Sequence, residues 1–157
     1  MWYYDYGKYC EELVMNKWDE AHMKVARVYA ELSSARRAKV GCIIVKDNRI
    51  QSIGYNGMPT GWDNNCEEEI HQHELGTVSL VTKQEVLHAE TNALAKIARS
   101  TESCEGSTIY ITMQPCIDCA KLIYQSGIAR VVWADEYPKG TAGLNFLSDC
   151  GILWDRL

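Results

Sequence analysis

Apolar residues recur along this chain with two different periods, and the period switches from one segment to the next. Between Trp18 and Leu32, Met23, Ala26 and Ala30 fall at helical spacing, with Val25, Val28 and Tyr29 on the flank, which predicts an amphipathic helix. Val40 to Lys46 is an apolar run of strand length. Asp47-Asn48 predicts a tight turn, and Arg49 to Tyr55 a returning strand. Gly57-Met58-Pro59-Thr60-Gly61 reads as loop. His88 to Arg99 predicts a helix, Thr108 to Thr112 a strand, and Cys116 to Gln125 a helix stopped by Gly127. Arg130 to Ala134 predicts a strand, Leu144 to Asp149 a last helix, and Gly151 to Trp154 a short final strand. Residues 62–87 are polar and acidic with neither period, so a long connection of the functional or mobile kind is expected there. The predicted order is α-β-β-α-β-α-β-α-β. A hairpin followed by strand–helix alternation predicts an α/β fold: a mixed sheet with helices on both faces.

Composition narrows the class of function. A chain of 157 residues with 46% hydrophobic and 24% charged positions suits one soluble domain with a substantial core. The longest apolar runs, such as Val40 to Val45, are far too short to span a bilayer, so no membrane partner is expected. The N-terminus lacks a basic region followed by an apolar core, and an intracellular, cytoplasmic protein is expected. A net charge of −5 argues against a broad nucleic-acid surface. A small phosphorylated ligand would need only a local basic cluster. The seven cysteines are odd in number, which favours metal binding or burial over a disulfide framework, and Cys42 is expected in the core. Residues 1–17 hold Trp2, Tyr3, Tyr4, Tyr6 and Tyr9; they are expected to form an extension packing on the domain or on a neighbouring subunit, with the main domain at 18–157.

Two short segments carry the chemistry. His88-Ala89-Glu90 opens one predicted helix and Pro115-Cys116-Ile117-Asp118-Cys119 opens the next, the H-x-E and P-C-x-x-C combination of zinc deaminases. Cys116 and Cys119 are three residues apart, so both sulfurs share one face of a first helical turn. Pro115 sits where its missing N–H costs the helix nothing. Helix N-termini favour thiolates through their unpaired N–H groups and dipoles. One imidazole and two thiolates make three protein ligands with an open fourth position, the catalytic rather than the closed structural pattern of zinc. Zinc lowers the pKa of a bound water to about 7. Glu90 stands two residues past His88, free to face the cavity without ligating and so to shuttle a proton from water to ring N3 and then to the departing amino group. The plainer alternatives are a redox C-x-x-C or a structural knuckle. A knuckle would call for a second Cys/His pair at regular spacing and would have no use for Glu90.

Beyond these motifs, the chain resembles the deoxycytidylate deaminases of the cytidine deaminase superfamily, with phage and bacterial members nearest. The likeness runs from Trp18-Asp19-Glu20 to the C-terminus. It is strongest in Val40 to Val45, in Gly54-Tyr55-Asn56-Gly57-Met58-Pro59, in His88-Ala89-Glu90-x-Asn92-Ala93, and in Pro115 to Lys121 with Gln125-x-Gly127-Ile128. The resemblance implies a three-layer α/β/α fold around a five-stranded mixed sheet, deoxycytidine monophosphate (dCMP) as substrate, catalytic zinc, and a homohexamer. It also implies activation by deoxycytidine triphosphate (dCTP) and inhibition by thymidine triphosphate (dTTP), with Mg2+ accompanying the bound triphosphate.

By the same resemblance Asn56 holds the sugar, Tyr137 lines the substrate site, and the segment Ser33 to Lys39 approaches the phosphate, with Ser33, Arg36, Arg37 and Lys39 as candidates. Arginine suits a phosphate through paired N–H donors. Gly57, Asn92, Lys96 and Arg99 are candidate effector contacts. Cys66, His71 and His73 lie close enough in sequence to suggest a second zinc, as in some relatives. The competing functions are deamination of another base or of tRNA adenosine, and a zinc-stabilised binding module without catalysis. The acidic net charge and the Gly54 to Pro59 string oppose the first; Glu90 opposes the second.

Overall fold

The computed structural model describes residues 17–72, 74 and 76–157, so the aromatic residues between positions 2 and 9, and His73, lie outside the described residues. The elements are α1 (Lys17–Ala30), β1 (Gly41–Lys46), β2 (Arg49–Tyr55), β3 (Glu67–Gln72), β4 (Thr77–Thr82), α2 (Ala89–Ala98), β5 (Thr108–Met113), α3 (Ile117–Gln125), β6 (Arg130–Asp135), α4 (Ala142–Asp149) and β7 (Leu153–Arg156). The main sheet has five strands in the order β2-β1-β5-β6-β7. β1 runs antiparallel to β2 and β5, whereas β5, β6 and β7 are mutually parallel, so the sheet is mixed as expected. Asp47 and Asn48 both adopt positive φ, 50° and 58°, the left-handed pair that closes a two-residue hairpin between β1 and β2.

Strand alternation divides the core in two. Cys42, Ile44, Ile109, Ile111, Val131 and Trp133 face one way, packing with Ala89, Ala93, Ile97, Ala120, Ile123, Leu144 and Leu147 of α2, α3 and α4. Ile43, Val45, Tyr110, Val132 and Ala134 face the other way and pack with Met23 and Ala26 of α1. The helices approach the sheet at glycine. A Cβ on Gly41 would stand 2.0 Å from the Ala26 carbonyl oxygen, and one on Gly54 would stand 2.1 Å from that of Ala89. Any side chain at Gly54 would therefore push away the helix start that carries Glu90.

Two expectations need correction. Residues 62–87 are not a bare loop, since β3 and β4 pair antiparallel from Glu67↔Thr82 to Gln72↔Thr77 as a separate two-stranded ribbon. Most of its side chains are exposed, and its apolar residues are divided between the two faces, Ile70 and Val81 on one and Val78 and Leu80 on the other, so neither reads as the buried side of a strand. The last strand lies at 153–156 rather than 151–154, because Gly151 (φ 75°) is still turning out of α4.

Candidate active site

His88 and Cys116 occupy equivalent places, each the N-cap residue of its helix with extended backbone (φ −72°, ψ 155° and φ −70°, ψ 169°). N-cap side chains commonly bond back to the helix N–H groups. Neither does so here. Instead the His88 Nδ1 lies 3.6 Å from the Cys116 Sγ and 3.4 Å from the Cys119 Sγ. The three donor atoms lie within 4.8 Å of one another, the one grouping of three or more candidate ligands among the described residues. A helix N-terminus contributes each half of the cluster, which is why two distant short motifs converge. Gly143, at the start of α4, backs this corner: a Cβ there would fall 2.1 Å from the Pro115 carbonyl oxygen.

The electrostatics suit a dication. A hydrogen bond from Cys119, assisted by His88, holds the Cys116 thiol down at about 4, and the Cys119 thiol is pushed up by the same bond and by burial. The pair thus shares one proton, and a cation between them would displace it. Imidazole nitrogen with two thiolates is a donor set fitted to zinc. Glu90 is 4% exposed, and burial raises its carboxyl to about 7 against the opposing pull of its backbone and His88. A carboxyl that titrates near neutrality can both accept and return a proton.

These groups face a cavity of about 310 Å³, a size that fits a nucleotide-scale ligand. His88, Glu90 and Cys116 line it together with Asn56, Gln114 and Tyr137. Asn56 is held on both sides: its Oδ1 accepts from the Val40 N–H at 2.8 Å, and its Nδ2 donates to the Ala38 carbonyl at 2.8 Å. Burial, together with the neighbouring negative charge of Cys116, Cys119 and Glu90, raises the Tyr137 phenol and keeps it neutral. Gln114 bonds to the Gly140 carbonyl at 3.0 Å and so ties down the loop carrying Tyr137.

The segment after α1 divides sharply. Ser33 is buried, donating to the Asn56 carbonyl at 2.7 Å, and is not among the residues lining the cavity. Arg36 turns to Glu69 (2.9 Å) and Glu67 (3.7 Å), and Lys39 to the Glu31 carbonyl (3.5 Å); neither lines the cavity. Arg37 does, and so does Lys139, which sequence reasoning passed over although it follows Tyr137 by two residues. Glu67, Val81 and Thr82 of the unforeseen hairpin complete that wall.

The remaining candidates sit elsewhere. Gly57 is bridged by two backbone hydrogen bonds to Leu87, the residue before His88. The Asn92 Nδ2 donates to the Tyr55 carbonyl at 3.0 Å, the Lys96 Nζ to that of Ile53 at 2.9 Å, and Arg99 is exposed at the end of α2. Cys66 is buried beside the Ser34 hydroxyl (3.4 Å), while the His71 side chain is 58% exposed next to Glu69. Cys66 and His71 are not part of any group of three candidate ligands among the described residues. None of the described helices is long and apolar enough to cross a membrane.

An α/β/α sandwich with histidine and cysteine donors gathered at two helix starts, and a buried acid beside them, is the arrangement of a zinc-dependent deaminase. Comparison with known proteins bears this out. Residues 16–135 match the cytidine and deoxycytidylate deaminase zinc-binding region, and the chain belongs to that family. It is 39% identical over 124 residues to the deoxycytidylate deaminase of Mycobacterium phage D29, covering 76% of this chain and 95% of that one. It is 34% identical over 164 residues to that of Enterobacteria phage T4, covering 83% and 84%. Among solved structures, the dCMP deaminase from the cyanophage S-TIM5 in complex with dCMP and dUMP superposes with a TM-score of 0.80 at 39% identity, over 92% of this chain and 99% of that chain.

Proposed function

We propose that this chain hydrolyses dCMP to deoxyuridine monophosphate (dUMP) and ammonia, with His88, Cys116 and Cys119 as zinc ligands and Glu90 as the proton carrier. The observation that carries the reading is one cavity lined by His88 and Cys116 of the cluster, by the buried carboxyl of Glu90, and by two cationic side chains, Arg37 and Lys139. Similarity to deaminases of this nucleotide supports the substrate. When bound, zinc supplies a Lewis acid that makes water nucleophilic at neutral pH. Glu90 accepts the water's proton and delivers it to ring N3 as the oxygen attacks C4. The carboxylate so regenerated takes the proton of the new C4 hydroxyl and passes it to the amino group, so that the C4–N bond breaks, ammonia leaves and the C4 carbonyl of dUMP forms; the burial of Glu90 shields these transfers from bulk solvent. Asn56 orients the sugar, and Tyr137 packs on the substrate from the opposite loop.

The wider reading includes a homohexamer, activation by dCTP, and inhibition by dTTP with Mg2+ between subunits. Its support is the resemblance to the deoxycytidylate deaminases; in this chain Asn92 and Lys96 of α2 donate to the backbone of β2, and Gly57 is paired with Leu87, the residue before His88. A ligand touching Gly57, Asn92, Lys96 or Arg99 would bear on the loop that carries Asn56. The reading takes one zinc per chain; two equivalents by metal analysis would bring Cys66, His71 and His73 back as a second site.

The test is ammonia release by the zinc-loaded protein from dCMP, deoxycytidine, dCTP and ribo-cytidylate, repeated with dCMP plus each triphosphate and magnesium. Preferred turnover of dCMP is expected, and its absence contradicts the reading. A dCMP saturation curve unmoved by either triphosphate in the assembled oligomer removes the regulatory part alone.

A further inference from the structure

The β3–β4 ribbon has no place in the chemistry described above, yet one buried carboxylate projects from its first residue into the catalytic wall. Glu67 is 1% exposed and lines the cavity. Its Oε1 accepts two consecutive backbone N–H groups, Arg36 at 2.9 Å and Arg37 at 3.1 Å. Its Oε2 has no hydrogen bond; the Arg36 Nε, at 3.7 Å, supplies only the opposite charge. Directly across the ribbon from Glu67 stands Thr82, whose Oγ1 accepts from the Arg37 Nη1 at 3.0 Å. The two residues closing the base of the ribbon thus fix Arg37 at both ends, the backbone by Glu67 and the guanidinium by Thr82.

A buried carboxylate with one oxygen left unbonded is costly unless something requires it there. Arginine has a long side chain with much rotamer freedom to lose, so a guanidinium aimed in advance binds an anion better than one free to wander. Of the two adjacent arginines, Arg36 is consumed by Glu69 and Glu67 on the outside, and Arg37 is the one turned into the cavity. We infer that Glu67 and Thr82 of the β3–β4 ribbon are positioning residues: they hold Arg37, one of the residues that the family resemblance sets near the 5′-phosphate, aimed at that group, and so strengthen the binding of a nucleotide relative to a nucleoside. The inference rests on the proposed reading that the substrate is a nucleoside monophosphate.

The experiment uses the zinc-loaded full chain and compares ligands with and without the phosphate. KM and kcat are measured for dCMP, and inhibition constants for dUMP and for deoxyuridine. Arg37→Ala should raise KM for dCMP and Ki for dUMP by about tenfold or more, the scale of one lost charge-assisted hydrogen bond. Deoxyuridine inhibition should not move. Glu67→Ala and Thr82→Val should shift the same constants in the same direction, with kcat held within about twofold, the signature of lost binding rather than lost chemistry. Glu67→Gln retains an oxygen for the two N–H groups and should recover most of the affinity; it also serves if Glu67→Ala does not fold. In an Arg37→Ala background, Thr82→Val should add nothing, because its lever is already gone. Effects shared equally by dUMP and deoxyuridine, or fully additive with Arg37→Ala, overturn the inference while leaving dCMP turnover, and so the proposed function, standing. A wild-type chain that does not turn over dCMP overturns both.

Discussion

Two buried polar clusters lie on opposite faces of the same sheet and differ in what faces their carboxylates: a guanidinium closes one, and the other opens on the cavity. On the α1 face, Asp19 receives the Tyr110 hydroxyl at 2.6 Å and both Arg130 Nη groups at 2.9 Å, and Arg130 goes on to Asp155 at 2.8 Å. Burial pushes the Asp19 carboxyl up, but Arg130 and Tyr110 outweigh it and hold it below the usual carboxylate range. On the other face, Glu90 is equally buried and lacks a cation of that kind, so burial wins and its carboxyl rises to about 7. The same side-chain chemistry thus gives a fixed anion in one place and a proton carrier in the other. A closed network stabilises; an open one is available for a metal, a water and a substrate.

The sharpest way to break the contrast is to remove one ligand from the open cluster. Cys119→Ala leaves two protein donors, and two hold zinc poorly. Dialysed protein should lose both metal and dCMP turnover; one equivalent of zinc retained with full activity would contradict the ligand assignment. Removing one partner from the closed cluster should do the opposite. Asp19→Asn sets amide donors against guanidinium donors and should cost about 2–3 kcal/mol of stability, discounted for the part-exposed Arg130. Turnover per folded molecule should stay unchanged, as urea unfolding and activity assays on one preparation can check. Asn56→Ala comes next, with kcat/KM falling roughly 10- to 100-fold through lost orientation. Unaltered constants would remove Asn56 from the substrate site.

The smallest effect is also the most diagnostic of the contrast. The stability that Asp19 gains from its partners is present above its unfolded value of about 3.9 and is lost as pH falls through its lower folded value. Glu90 has the reverse sign. Its folded value is raised, so the benefit of burying the neutral acid is full below about 4.3 and is lost as pH rises through about 7. Without metal, Glu90→Gln should therefore gain stability over wild type between about pH 5 and pH 8. Over the same window the Asp19→Asn penalty should stay flat, shrinking only below about pH 4. Parallel slopes for the two variants would erase the distinction.

The open cluster was far more legible in the sequence than the closed one. His88, Glu90, Cys116 and Cys119 stand in two short local motifs, each at a helix start whose position is set by apolar period and by Pro115. The main sheet was legible for a similar reason, because β1, β5 and β6 are apolar runs buried on both faces and the Asp47-Asn48 turn leads β1 into β2. Asp19 and Arg130 are 111 residues apart with nothing local to join them. The β3–β4 ribbon escaped because its faces are largely solvated and leave no apolar pattern. Which of the two adjacent arginines lines the cavity escaped with it, since their side-chain partners, Glu69 for Arg36 and Thr82 for Arg37, stand on that ribbon more than thirty residues away.

The central claim is that Glu90 moves the proton in a zinc-dependent deamination of dCMP. It is tested by measuring zinc content and ammonia release on the same sample of Glu90→Gln. The substitution keeps shape and removes the ionisable group. One equivalent of zinc with turnover reduced by about 10²–10⁴-fold or more is the result this account predicts. A fully metal-loaded Glu90→Gln protein releasing ammonia from dCMP at the wild-type rate would contradict it.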